Sequence, residues 1–157
     1  MKNFKLLSIA TIASISLLLS CSSDKPKEST STTTEEPKSM IDEAPSSNRL
    51  ETKIEAGKAN YEKTCFACHQ ADGKGLPAAF PPLLASDYLA ADLSRAISGV
   101  VNGLSGEITV NGEKYNQVMP ASTLTDEEIA DVFTYILNNF DNKGGEVTAA
   151  EVKAVRK

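Results

Sequence analysis

Two cysteines three residues apart, followed at once by the only histidine of the chain, form the segment Cys65-Phe66-Ala67-Cys68-His69. No other feature of the 157 residues restricts the fold as strongly. A redox pair of the thioredoxin kind would sit beside a strand–helix–strand pattern, which the flanking sequence lacks. A structural zinc site needs a fourth ligand, yet there is no second histidine, and the third cysteine, Cys21, lies far off at the end of an apolar run. Two inert core cysteines would leave the adjoining histidine without a reason. The spacing that remains is that of covalent haem c attachment, C-x-x-C-H. A helical turn through the motif brings both sulfurs within reach of the two vinyl groups of one porphyrin. The next residue, His69, then projects its imidazole at the iron.

A single histidine also limits the other axial position. Two histidines cannot both come from one molecule, so a second protein ligand must be of another type. Met1 belongs to the leader and Met40 to a polar linking segment, which leaves Met119. It precedes Pro120, which biases it toward extended backbone. A lone methionine is usually core filler, but this one stands in a loop and not on an apolar helix stripe. His69 and Met119 are the expected iron ligands.

Residues 1–20 place Lys2 and Lys5 ahead of an apolar stretch from Leu6 to Leu19, the pattern of a secretory leader. The stretch is short for a membrane-spanning helix, which needs about 20 apolar residues. It ends Leu18-Leu19-Ser20-Cys21, which resembles the lipobox of bacterial lipoproteins. That resemblance implies cleavage before Cys21, acylation of Cys21, and export with a lipid anchor in a bacterial membrane, facing the periplasm. Several acyl chains together give the durable anchoring that one does not. Residues 21–48 are rich in Ser, Thr, Pro, Glu and Lys, too polar to offset their ordering entropy. As a flexible coil they would span roughly 30 Å on average. The expected organisation is a leader (1–20), a disordered tether from Cys21 (21–48) and one folded domain (49–157).

Within that domain, Ile54, Gly57 and Tyr61 stand at helical spacing over Thr52 to Thr64. Ser86 to Val101 reads as one or two short helices, and Gly99, Gly103 and Gly106 read as breaks after them. Ile108 to Tyr115 carries Asn111-Gly112, the signature of a type I′ hairpin. Residues 70–85, with Gly73, Gly75, Pro77, Pro81 and Pro82, read as an irregular loop, and a loop of that length is usually functional. Thr125 with Glu128 forms a capping box ahead of an apolar stripe through Ile129, Val132, Phe133, Ile136, Leu137 and Phe140, a helix from Asp126 to about Asn139. Thr148 with Glu151 opens a second, shorter one. Aromatic residues make up only 6% of the chain and tryptophan is absent, so the core is thin unaided, and a bound prosthetic group could supply the missing apolar bulk.

Taken together, Gly57 and Tyr61 before the motif, Pro81-Pro82-Leu83, Met119-Pro120 and the apolar final helix resemble the class I cytochrome c family. The resemblance covers about residues 50–157. It implies an all-α fold around one haem, here with a short β-hairpin before the methionine ligand. It implies that the first helix crosses the Asp126–Asn139 helix at Gly57, near Tyr135 and Ile136. It also implies a proline carbonyl on the proximal imidazole, a position Pro81 matches best with its neighbour Pro82 as rival, and packing of Leu83 on the haem. The hairpin is similar to a subgroup found fused to or beside terminal reductases, oxidases and dehydrogenases. The family function is a carrier of single electrons between redox proteins, such as a quinol-oxidising complex and a terminal oxidase or reductase, and not an enzyme.

Ligand chemistry points the same way. A thioether sulfur stabilises ferrous iron and raises the potential, and two filled axial positions leave no place for oxygen or peroxide. The rival is a ligand-binding sensor or a small peroxidase with a displaced Met119; a peroxidase would want a distal acid–base group, and there is no second histidine. The formal charge of −5, with no basic stripe, argues against a nucleic-acid partner. It suggests instead basic patches on redox partners and salt-sensitive rates.

Overall fold

The computed structural model describes residues 46–157. The expected leader, Cys21 and the polar segment up to residue 45 lie outside the described residues. The elements follow in the order α1 (Ser46–Thr64), α2 (Phe66–His69), α3 (Asp87–Ala91), α4 (Leu93–Asn102), β1 (Ile108–Val110), β2 (Glu113–Tyr115), α5 (Asp126–Asn138) and α6 (Ala149–Val155). This is the small helical fold with one hairpin that the sequence implied.

Local chemistry sets the ends of α5. The Thr125 hydroxyl accepts from the Glu128 N–H, and the Glu128 carboxylate accepts from the Thr125 N–H at 2.8 Å. Asp126, Glu127 and Glu128 place negative charge on the positive end of the helix dipole. Ile129, Val132, Phe133 and Ile136 are buried along one face, with Leu137 and Phe140 packed against them. The same box recurs at Thr148 and Glu151 on α6, which buries Val152 in the same core.

α1 packs on α5 at Gly57. A Cβ at that position would run into the Asp131 carbonyl and lie 2.8 Å from Tyr135 Cβ. Tyr135 is one of the two neighbours the resemblance implied; Asp131, one turn earlier, and not Ile136, supplies the other nearest atoms. α1 also begins at Ser46, ahead of the Thr52 start expected from apolar spacing. Its early turns are held by charge. Lys53 Nζ donates to the Val147 carbonyl at 3.0 Å and lies 3.4 Å from Asp131 and 3.6 Å from Glu146, while Arg49 pairs with Glu146 at 3.2 Å. Burial nevertheless raises the Asp131 carboxyl above its ordinary range, with Lys53 opposing.

Gly99 corrects one expectation. It lies inside α4, which runs on to Asn102 and ends at Gly103 with φ 83°. The hairpin pairs Ile108 with Tyr115 and Val110 with Glu113, and Asn111 and Gly112 take φ 49° and 82°, as a type I′ turn requires. An isolated hairpin is marginal in water. This one is fastened to α3, because Asn111 N–H donates to Asp87 Oδ1 at 2.7 Å and Asp87 N–H donates to Asn111 Oδ1 at 3.0 Å.

Candidate functional site

The end of α1 builds the motif. Cys65 N–H donates to the Tyr61 carbonyl at 2.9 Å, and His69 N–H donates to the Cys65 carbonyl at 3.0 Å. The helical turn expected of the motif is present as α2. It stops at Gln70, which takes φ 63°. Tyr61, almost fully buried, donates its hydroxyl to the Gln70 carbonyl at 2.6 Å and fixes that stop. Burial, followed by the nearby Cys65, raises the Tyr61 phenol far above its usual range, so it remains a donor. Cys65 and Cys68 line one cavity and form no disulfide. Before attachment, burial pushes the Cys65 thiol up, against a contact from the Thr64 hydroxyl at 3.4 Å.

His69 is only 8% exposed, and its Nδ1 lies 3.0 Å from the Pro81 carbonyl oxygen. A carbonyl only accepts, so Nδ1 carries the proton and Nε2 keeps its lone pair. Burial lowers the basicity of the ring, with the Pro81 carbonyl opposing. A neutral imidazole with Nε2 free is the form that binds a metal. The geometry selects Pro81 over Pro82 as the acceptor. Gly75 makes this possible: its N–H donates to the His69 carbonyl at 3.0 Å, and a Cβ there would lie 2.9 Å from the Pro81 carbonyl carbon. The sequence reading took Gly75 for a loop breaker and missed this role.

Met119 is half-buried, and its backbone exchanges two hydrogen bonds with Leu104, each 2.9 Å long. That pairing, too, had no sequence signal. Tyr115, in the hairpin, is buried.

His69, Met119, both cysteines, Pro81 and Leu83 all line a single cavity of about 390 Å³. Its size lies within the roughly 300–1,000 Å³ of cofactor sites. Leu89, Val100, Ile129 and Phe133 make much of the remaining wall, so the lining is apolar. Gly99 tests what belongs there. The atoms nearest a Cβ on it would be those of the Leu104 side chain, the first at an ordinary 3.7 Å. No protein atom therefore demands glycine within α4, where it costs about 1 kcal/mol against alanine. A bulky group held against α4 accounts for it. Two thiols, one imidazole, one thioether and apolar walls are the donor set a covalently bound porphyrin needs.

Such a site on such a fold defines a small monohaem electron-transfer domain. The cytochrome c family model matches residues 54–140. Cytochrome c-552 of Thermus thermophilus is 40% identical over 112 residues, 65% of this chain and 86% of that protein. The fructose dehydrogenase cytochrome subunit of Gluconobacter japonicus is 34% identical over 119 residues, 70% of this chain and 24% of that subunit. The cytochrome c subunit of a quinone alcohol dehydrogenase from Gluconacetobacter polyoxogenes is 31% identical over 103 residues, 64% of this chain and 22% of that subunit. The chain belongs to the cytochrome c family, as a class I monohaem member, and its cofactor is covalently attached haem c.

Proposed function

We propose that this domain carries single electrons with His69 Nε2 and the Met119 sulfur as axial ligands, and that Cys21 anchors it by lipid to a bacterial membrane, facing the periplasm. One observation carries the reading. An imidazole locked by Pro81 in its metal-binding tautomer and a methionine whose backbone is paired with Leu104 line the same apolar cavity as both attachment cysteines. Haem supplies a one-electron change at iron when bound.

The protein supplies the rest. Leu83, Leu89 and Phe133 exclude water and disfavour net charge, which favours the ferrous form. The Met119 thioether acts in the same direction, while the hydrogen bond to Pro81 makes His69 more electron-donating and tempers it. With His69 held by the Pro81 carbonyl and the Met119 backbone paired with Leu104, both would move little as the charge changes, and small rearrangement is what a carrier needs.

Its partners in this reading are a quinol-oxidising complex as donor and a terminal oxidase or reductase as acceptor. Relatives named as cytochrome subunits of dehydrogenases support a place beside such redox enzymes. Among the described residues no helix is long and apolar enough to cross a membrane; the proposed attachment is through Cys21.

Absorption spectra of the oxidised and reduced holoprotein, with and without carbon monoxide, test the ligation. A low-spin spectrum indifferent to carbon monoxide, with the weak long-wavelength methionine-to-ferric band, is expected. A high-spin spectrum or rapid carbon monoxide binding would transfer the protein to the sensor or peroxidase class. Separately, Cys21→Ala is expected to move the haem-loaded protein from the membrane to the soluble fraction with its spectrum intact. Continued membrane association would refute the anchor.

A further inference from the structure

The turn that follows α5 makes more contacts with the proximal loop than helix termination requires. α5 ends at Asn138, and Phe140 and Asp141 then both take φ 54°. Ala85 takes φ 43° and donates its N–H to the Phe140 carbonyl at 2.7 Å. Non-glycine residues in this left-handed region are uncommon, and three at one junction persist only where the surroundings hold them.

Asn142 bridges the residues on either side of this junction. Its Nδ2 donates to the Leu83 carbonyl at 2.9 Å and to the Ile136 carbonyl at 3.0 Å, and its Oδ1 accepts from the Ser86 N–H at 3.2 Å. One side chain thus joins the last turns of α5 to both ends of the Leu83–Ser86 segment. The other shoulder of the loop is closed by the same turn. Leu83 and Leu84 donate their N–H groups to the Gly73 carbonyl at 2.7 and 2.9 Å, and a Cβ on Gly73 would lie 2.7 Å from Cγ of the Phe140 ring. Pro81 lies between these two fastenings. α5 also supplies Ile129, Phe133 and Ile136 to the cavity wall, so the turn registers the proximal loop against the wall it must match.

We propose that Asn142 is a positioning residue for the proximal ligand: by clasping Leu83 and Ser86 to the end of α5 it holds the Pro81 carbonyl on His69. This rests on the reading of His69 as iron ligand. The basicity and orientation of a metal-bound imidazole follow the hydrogen bond on its other nitrogen, so the clasp reaches the iron through Pro81.

Because His69 is the only histidine, the holoprotein labelled with ¹⁵N-histidine gives one pair of ring signals in the ferrous, diamagnetic state. Asn142→Ala is expected to accelerate solvent exchange of the His69 Nδ1–H by about ten-fold or more, through local opening of the loop. Asn142→Asp keeps the acceptor for Ser86 but loses the donation to Leu83. It is expected to accelerate exchange as well, and it serves should the alanine variant fail to load haem. Asn138→Ala is the control. It removes donations to Thr134 and Gly145 at 2.7 and 2.6 Å from the same helix end without touching the loop, and exchange is expected to stay at the wild-type rate.

Wild-type exchange in the Asn142 variants, or equal acceleration in Asn138→Ala, would overturn the clasp alone. A wild-type Nε2 signal without the shift of an iron-bound nitrogen would overturn the ligation, and the clasp with it.

Discussion

Met119→Ala is expected to lower the reduction potential by about 0.2 V, well inside the ~0.8 V range that axial ligands command, and to open the iron to carbon monoxide. The direction follows from sulfur chemistry. The thioether favours ferrous iron, and water entering in its place favours ferric. The fold should survive, because residue 119 is held through its backbone: both hydrogen bonds to Leu104 use main-chain atoms that alanine retains. The substitution therefore removes the ligand without removing the loop that carries it, and Pro120 still restrains that loop. Potentiometry and a carbon monoxide difference spectrum give the two readouts. If both match wild type, another group holds the sixth position and the proposed ligation fails on the methionine side only. His69, with its own hydrogen bond to Pro81, would stand apart from that result.

The parts of this molecule legible in the sequence are those decided by near neighbours. Thr125 and Glu128 are three residues apart, and nothing beyond their own turn is needed to make the box that starts α5. Asn111-Gly112 specifies its turn because both residues tolerate positive φ. The attachment motif is likewise local, since one helical turn from Cys65 to His69 sets its geometry. What the sequence left open was settled by distant groups. Pro81 and Pro82 are the same residue side by side, and only the path of the loop past Gly75 puts one carbonyl on His69. The early turns of α1 lack an apolar stripe, and their partners, Glu146 and Val147, lie at the far end of the domain. Gly99 was read as a break because glycine weakens helices, yet α4 continues through it. Asn142 had no signal at all, since an asparagine after a helix is commonplace. Its three consequential partners appear only when loop and helix meet.

Gly57→Ala distinguishes packing from helix propensity, and the two have opposite signs. In an isolated helix alanine would be the better residue by about 1 kcal/mol, so a loosely packed α1 would be stabilised by the change. Here the new methyl meets the Asp131 carbonyl, which is main chain and has no rotamer to adopt, and Tyr135 Cβ at 2.8 Å. The helices must separate or bend. Overpacking of this kind costs typically 1–3 kcal/mol, and an obstacle that is backbone belongs at the upper end. A net loss of about 2 kcal/mol lowers the melting temperature by roughly 10 °C in a domain of this size. Far-ultraviolet circular dichroism melts of the holoprotein read it directly, and an unchanged or raised midpoint would mean that α1 and α5 do not meet at Gly57. The consequence reaches the iron because α1 runs straight into Cys65, while α5 carries Ile129, Phe133 and Ile136 on the cavity wall. A wedge at Gly57 displaces one attachment point against the opposing wall. The same variant should therefore load haem in lower yield as well as melt earlier, which a surface substitution of equal thermodynamic cost would not do.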